Sequence, residues 1–318
     1  MTGPRHIPLG KGGEFDAISA ALHRWGALAE GVGDDCAVLD VPAGRKMVLS
    51  VDNAVENVHF RRTWLSPEEI GYRSAIAAIS DLAAMAAVPV GIAVSLTLPE
   101  SWRGDFLRIC DGIGEAARST GTRIIGGDLT RGGELALAIS AVGHVAEPLA
   151  RRGARPGDAL WVTGRLGGPL LAVRAWDRGT APQGEVRARF ARPTARVAEA
   201  QWLLAHGASA GMDVSDGVVS EAGHLAAAGG VHVIVNLDRL PLVAGATPED
   251  AARSGEEYEL LVTAPAALDA AAFEAEFGLP VTCIGAVAPP MPGEPAVEAL
   301  RGGRRVELPR GHDHFPVM

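Results

Sequence analysis

The chain has almost no lysine. Of its 29 basic residues only Lys11 and Lys46 are lysines, so any phosphate chemistry must rest on arginine, metal ions and backbone N–H groups. Cysteine is nearly as scarce. Cys36, Cys110 and Cys283 are far apart and form no C-x-x-C pair, which excludes a disulfide framework and a thiolate zinc site and fits a reducing, cytoplasmic setting. The opening Met1-Thr2-Gly3-Pro4-Arg5 has no apolar signal core. The longest apolar stretch, 74–98, is broken by Asp81 and Pro89, which excludes a membrane span. A G-x-x-x-x-G-K-[ST] loop is missing, since Lys11 sits in Gly10-Lys11-Gly12-Gly13, so an ordinary P-loop enzyme is excluded. The protein-kinase signature set is missing too. No internal repeat or low-complexity tract occurs. With a formal net charge of -9, nucleic acid is not an expected partner.

What is present is an ordinary globular composition. The 318 residues are 47% hydrophobic and 21% charged, enough for two domains. A first helix is expected over Gly13–Trp25, and strands over 37–39 and 47–51 around the turn Pro42-Ala43-Gly44. Ser66-Pro67-Glu68-Glu69 reads as a helix start with a capping box, for a helix running to about Ala87. A strand over 90–98, a helix over 103–119 and strands over 122–125 and 135–142 follow. A boundary near Glu147 gives domains 1–147 and 148–318. In the second, strands are expected at 159–162, 231–235 and 259–263. Helices are expected after the Gly-rich loop 164–168, after Pro193 and over 217–228. Strands and helices mix in both halves, so the expected class is α+β, two domains with mixed sheets.

The informative feature is where the aspartates fall. Asp34 and Asp35 sit in a turn, Asp52 follows an apolar run, Asp128 follows Ile124-Ile125-Gly126-Gly127, and Asp213 and Asp216 bracket Val214-Ser215 before a helix. Each stands where an apolar element meets a loop, the usual place for binding groups. Singly, each reads as a cap or a turn residue. Jointly, clustered carboxylates repel unless divalent cations and phosphate oxygens hold them together. Asp81 shares a helical stripe with Ile70, Ser74, Ala77 and Met85, so its carboxylate is expected to be partly buried and to need a metal or a hydrogen-bonding partner.

Other signals are weaker. The glycines at 31–33, 126–127 and 164–168 can offer N–H groups to anions or simply make turns. Arg151 beside Arg152 can grip a phosphate or form a solvated pair. His59 reads equally as a substrate contact or a structural histidine. Glu256 and Glu257 read by composition as surface residues. His312-Asp313-His314 lacks a third ligand nearby and reads poorly as a metal site.

At these motifs the chain resembles the thiamine-monophosphate kinases, a branch of the aminoimidazole-ribonucleotide-synthetase-like superfamily. The matching stretches are Gly31-Val32-Gly33-Asp34-Asp35-Cys36-Ala37, Ser50-Val51-Asp52 with Val58-His59-Phe60, Ser80-Asp81-Leu82-Ala83-Ala84-Met85 and Ile125-Gly126-Gly127-Asp128 with Thr130-Arg131. Asp213-Val214-Ser215-Asp216-Gly217, Gly255-Glu256-Glu257-Tyr258-Glu259-Leu260 and Asp313-His314-Phe315 complete the set, in the family's order and over almost the whole chain.

The resemblance implies transfer of the ATP γ-phosphoryl group to thiamine monophosphate with several Mg²⁺ ions, and a homodimer joined through its N-terminal sheets. By matching position, Asp35, Ser50, Asp52, Asp81, Asp128, Asp213 and Asp216 look like metal ligands, with Val51 serving through its carbonyl. Among them Asp35, Asp81, Asp128 and Asp213 look catalytic. Gly127, Asp128, Arg151 and Ser215 look like ATP contacts, and His59, Glu256 and His312 like contacts to the thiamine phosphate. The chain departs from the family pattern at Val51, Asn57, Ala78, Ser254, Glu257 and His312. A sibling enzyme with another acceptor, or a nucleotide-binding relative without catalysis, therefore stays open beside the first reading.

Overall fold

A computed structural model describes residues 12–290 and 292–307. The chain divides into two units. One runs to Leu82 and resumes over Ala87–Glu147; the other takes Ala83–Ala86 and continues from Pro148.

The first unit is built on a four-stranded sheet of order β1-β4-β2-β3, with β1 Lys46–Val55, β2 Val88–Leu98, β3 Arg123–Arg131 and β4 Ala136–Val145. β4 pairs antiparallel with β1 and β2, and β2 pairs parallel with β3. One face is covered. Ile92, Val94 and Leu96 of β2 and Leu137, Ile139 and Ala141 of β4 are buried, each of the Ile, Val and Leu side chains stabilising the fold by about 2 kcal/mol. The other face is open, and Met47, Leu49 and Val51 alternate along β1 in solvent.

The helices of this unit are α1 Gly13–Trp25, α2 Pro67–Ala84 and α3 Phe106–Ser119. α1 is the expected segment. α2 starts with a reciprocal cap: the Ser66 N–H donates to the Glu69 carboxylate at 2.8 Å and the Glu69 N–H to Ser66 Oγ at 3.3 Å. α3 begins later than expected, because 100–105 winds as a 3₁₀ turn first. The two helices cross at glycines. A Cβ on Gly71 would lie 2.1 Å from the Ile109 carbonyl oxygen, and one on Gly112 would lie 1.9 Å from that of Glu68.

Two expectations fail here. The stretch 37–39 is not a strand; Val38 stands 94% exposed, so no sheet face rewards the apolar residues with burial. The strand expected to stop at Ile125 runs on to Arg131, which carries Gly126, Gly127 and Asp128 along the sheet edge instead of into a loop.

The second unit holds a seven-stranded sheet of order β11-β10-β7-β9-β5-β8-β6. Its strands are β5 Ala159–Thr163, β6 Ala210–Asp213, β7 His232–Asn236, β8 Leu260–Ala264, β9 Val281–Ala288, β10 Val297–Arg301 and β11 Arg304–Val306. Both faces are packed. Leu160 and Val162 of β5 join one apolar cluster, while Ala159 and Trp161 join the other, the alternation a two-sided strand requires. Helices α4 Gly168–Asp177, α5 Gly184–Ala191, α6 Val197–Ala205, α7 Val218–Gly229, α8 Pro248–Arg253 and α9 Ala270–Phe277 complete the unit. The sequence reading had no place for α5, α8, α9, β6 or β9–β11.

Candidate functional site

In the first unit the site grows from β1 and α2. Ser50 and Asp52 share the covered face of β1, two residues apart. The Ser50 hydroxyl donates a short hydrogen bond to the Asp81 carboxylate on α2. Asp81 is half-buried, on the helix stripe with buried Ile70, Ser74 and Ala77. Asp52 Oδ1 accepts the Asn53 N–H at 2.7 Å. Val51, between Ser50 and Asp52, turns its side chain to the open face.

Asp35 lies in the exposed loop after the 3₁₀ turn Gly26–Ala29. Asp128 lies on edge strand β3. The strand registers define a row Asp52–Ile139–Val94–Gly127 across the sheet, and a neighbouring row Asn53–Ala138–Ser95–Asp128. Asp52 and Gly127 therefore share a face, and Asp128 steps to the other, about 14 Å away across three strand spacings. Gly127 has to be glycine, since a Cβ there would sit 2.3 Å from the Val94 carbonyl oxygen.

Two cavities flank this edge. One, of about 70 Å³, is lined by Leu22, Trp25, Phe106, Cys110, Gly127 and Asp128 among others. Burial pushes the Cys110 thiol up to about 12, so it behaves as an apolar wall. The other, of about 500 Å³, is bordered by Glu14, Glu100, Arg103, Thr130 and Arg131.

His59 sits in a tight turn closed by Asn57 N–H to Phe60 O at 2.7 Å, and its Nδ1 accepts the Val55 N–H at 3.1 Å. That fixes the tautomer with its proton on Nε2. Asn57 has φ 66°, a left-handed value that asparagine tolerates best after glycine. The asparagine at this position is thereby accommodated. Ala78 is fully buried in α2.

In the second unit β6 ends at Asp213, which is buried, and the chain turns through Ser215 and Asp216 into α7. Glu221, in the first turn of α7, accepts the Asp216 N–H at 2.7 Å, the Ser215 N–H at 3.1 Å and the Ser215 hydroxyl at 3.3 Å. Burial, with Asp216 beside it, pushes the Glu221 carboxyl up to about 7 against these donors. From the other side the Glu256 N–H donates to the Ser215 carbonyl at 2.7 Å, and the N–H groups of Glu257 and Tyr258 both donate to that of Val214 at 3.0 Å. Glu256 and Tyr258 adopt φ 56° and 53°, a strained pair that persists because both flanks are pinned. Arg151 and Arg152 stand exposed on the 3₁₀ turn Arg151–Gly153.

Glu257 is the clearest correction. It is buried, not on the surface. It accepts the Gly167 N–H at 2.5 Å and faces Arg189 at 3.3 Å. Burial pushes its carboxyl up to about 7, with Arg189 pulling the other way. Ser254 is buried as well and accepts the Leu170 N–H through its hydroxyl. The Gly-rich loop 164–168 is thus not an anion cradle: the Gly167 amide goes to Glu257, and those of Gly164 and Leu166 go to the carbonyls of Pro280 and Pro241.

Beneath this segment Glu259 is gripped by Arg189 at 2.6 Å, by Arg196 at 2.6 and 2.9 Å and by the Thr163 hydroxyl at 2.6 Å. Burial alone would raise its carboxyl, but Arg196 and Arg189 hold it below the usual range.

Sequence reasoning missed Glu221, Glu259, Arg189 and Arg196. A usable signal was present. Two acidic residues entering an apolar strand need cationic partners, and the arginines of 187–196 were the unassigned supply. His312 lies outside the described residues.

Among the described residues no group of three or more His, Cys, Asp or Glu side chains could by itself hold a metal ion. The donors that do gather, Ser50, Asp52 and Asp81, are all oxygens. Such a set suits Mg²⁺, which takes one or two carboxylates and fills its octahedron with water and phosphate oxygens. No described helix is long and apolar enough to cross a membrane.

The chain matches two family models, "AIR synthase related protein, N-terminal domain" over residues 33–145 and "AIR synthase related protein, C-terminal domain" over 155–290. A thiamine-monophosphate kinase of Salmonella typhimurium is 32% identical over 327 residues, covering 95% of this chain and 98% of the relative. Among solved structures, the thiamine-monophosphate kinase of Stenotrophomonas maltophilia K279a superposes with a TM-score of 0.78 at 33% identity, covering 90% of this chain and 95% of that one. AaThiL, solved in complex with AMPPCP and TMP, superposes at 0.74 with 29% identity, covering 94% and 95%.

Proposed function

This chain belongs to the AIR synthase related family, among its thiamine-monophosphate kinases, and on that premise we propose that it phosphorylates thiamine monophosphate with ATP. The terminal phosphate oxygen of thiamine monophosphate attacks the γ-phosphorus. The bond from γ-phosphorus to the β–γ bridging oxygen breaks, and thiamine diphosphate and ADP leave. The observation that carries this reading is the likeness to thiamine-monophosphate kinases along 95% of the chain.

Phosphoryl transfer needs alignment and neutralised charge rather than covalent help. In the first unit Ser50, Asp52 and Asp81, with the Val51 carbonyl, would hold Mg²⁺; Asp35 and Asp128, and in the second unit Asp213 and Asp216, would each serve as ligands to further Mg²⁺ ions. When bound, Mg²⁺ supplies the positive charge that lets two phosphorylated anions approach. The Ser50–Asp81 hydrogen bond keeps the carboxylate aimed and partly desolvated. Gly127, exposed on edge strand β3, offers its backbone to the nucleotide. Arg151 and Ser215 contact the ATP phosphates. His59, with its proton on Nε2, and Glu256 orient thiamine monophosphate; His312 belongs to the same proposed set. The working form is a cytoplasmic homodimer in which partner sheets cover Met47, Leu49 and Val51, a stripe of the kind that marks an association surface.

The test is a reaction of purified protein with Mg-ATP and thiamine monophosphate, read by chromatography, with thiamine as the control acceptor. Equimolar thiamine diphosphate and ADP from the monophosphate alone are expected. ATP bound without any diphosphate formed overturns the acceptor assignment.

A further inference from the structure

We propose that Glu221 is a positioning residue that holds the Asp213–Asp216 turn in its ligand-binding shape. The inference deepens the proposed nucleotide reading and rests on it. Glu221 itself touches no substrate; its oxygen is committed inward.

The turn is defined from two sides. On one, the carbonyls of Val214 and Ser215 are taken by the N–H groups of 256–258. On the other, the N–H groups of Ser215 and Asp216 and the Ser215 hydroxyl all converge on a single oxygen, Oε1 of Glu221. Without that oxygen three donors would be left facing a buried position, at the full cost of unmet hydrogen bonds. The rest of the turn cannot take over the task. Gly217 is at φ 113° with its built Cβ 3.0 Å from the Arg253 backbone, and Gly255 lies against the Ser215 carbonyl, whose oxygen is 2.5 Å from its built Cβ. The backbone therefore has no slack in which to find other acceptors.

The surroundings of Glu221 are consistent with that role. Glu221 is 1% exposed, and among the described residues no Arg, Lys or His pairs with it. What faces it are N–H dipoles and the first turn of α7, whose positive end favours an anion. A carboxyl that takes two backbone N–H groups and the Ser215 hydroxyl, with no cation beside it, acts as a template for the turn. Ser215 and the carboxylates of Asp213 and Asp216, all carried by that turn, are the groups assigned to ATP and its metal. Its loss should consequently weaken nucleotide binding and leave the acceptor side unmoved.

The experiment uses the full chain and titrates Mg-AMPPCP by calorimetry, with the KM values for ATP and thiamine monophosphate measured in parallel. For Glu221→Ala the Kd for Mg-AMPPCP and the KM for ATP are expected to rise at least tenfold, with the KM for thiamine monophosphate changed less than twofold. Glu221→Asp, which keeps the carboxylate one methylene short, is expected to recover part of that loss. Glu221→Gln keeps one acceptor oxygen and the volume, and is expected to weaken binding about threefold. It serves as the deciding variant if the alanine form does not fold.

Nucleotide affinity within twofold of wild type in the folded variant, or equal rises in both KM values, overturns the inference. A wild type that binds Mg-AMPPCP but leaves thiamine monophosphate untouched overturns the acceptor only, and calorimetry still decides on Glu221. A wild type that binds no Mg-AMPPCP overturns the nucleotide reading and this inference with it.

Discussion

Asp35 and Asp128 of the first unit stand in solvent, whereas Glu257 and Glu259 of the second are sealed among arginines and backbone amides. The two sets of carboxylates obey different energetics. An exposed carboxylate is already solvated by water and can exchange that water for a metal ion or a ligand. A buried one is tolerated only because Arg189, Arg196, Thr163 and Gly167 complete its hydrogen bonds. Acidic residues with similar motif signatures thus divide into groups that can take part in chemistry and groups that fix shape.

The comparison breaks most sharply at Glu259. Glu259→Ala leaves the part-buried Arg189 with Glu257 alone and Arg196 with Glu199 alone, and should destabilise the fold by about 3–5 kcal/mol, read by urea unfolding. A loss below about 1 kcal/mol would mean the arginines relax into solvent and the network is not structural. Asp128→Ala should do the reverse. Turnover should fall on the order of a hundredfold or more, with stability within about 0.5 kcal/mol because the side chain is exposed. Full activity in that variant removes Asp128 from the proposed metal set.

Glu257 sharpens the contrast through pH. Its folded value of about 7 lies above the ordinary 4.5. The folded state therefore binds the proton more tightly, and this contribution to stability is fully present below about pH 4.5 and lost as pH rises through about 7. The melting temperature of Glu257→Gln, followed across that window, should decline less steeply than that of wild type. Identical slopes would show that Arg189 keeps Glu257 ionised throughout. The smallest effect belongs to Asn57. Asn57→Gly should be close to neutral and Asn57→Val should cost about 1–2 kcal/mol for its left-handed backbone. Equal melting temperatures would mean the turn opens to relieve the strain.

Local chemistry made much of the first unit legible. α1 ends at Gly26, whose φ is 57°, and α2 announces itself through Ser66 and Glu69, three residues apart. The Asp81 stripe followed from helical spacing alone. What could not be read locally depended on distant partners. Asp128 looked like a loop residue because Gly126-Gly127 resembles a turn, yet Gly127 serves the close approach of β3 to Val94. Glu257 looked like surface because its cation, Arg189, is 68 residues away in the chain. β1 carries Met47, Leu49 and Val51 outward, so an apolar run that suggests a core strand in fact borders solvent in the single chain.

The crossing of α2 and α3 has a consequence for how this protein can vary. At Gly71 and Gly112 the obstructing atoms are the carbonyl oxygens of Ile109 and Glu68, which every amino acid possesses. Shrinking the residue opposite would create no room. A suppressor screen begun from Gly71→Ala should therefore return no compensating change at either neighbour, and the two glycines are expected to drift, or to stay, independently of the side chains around them.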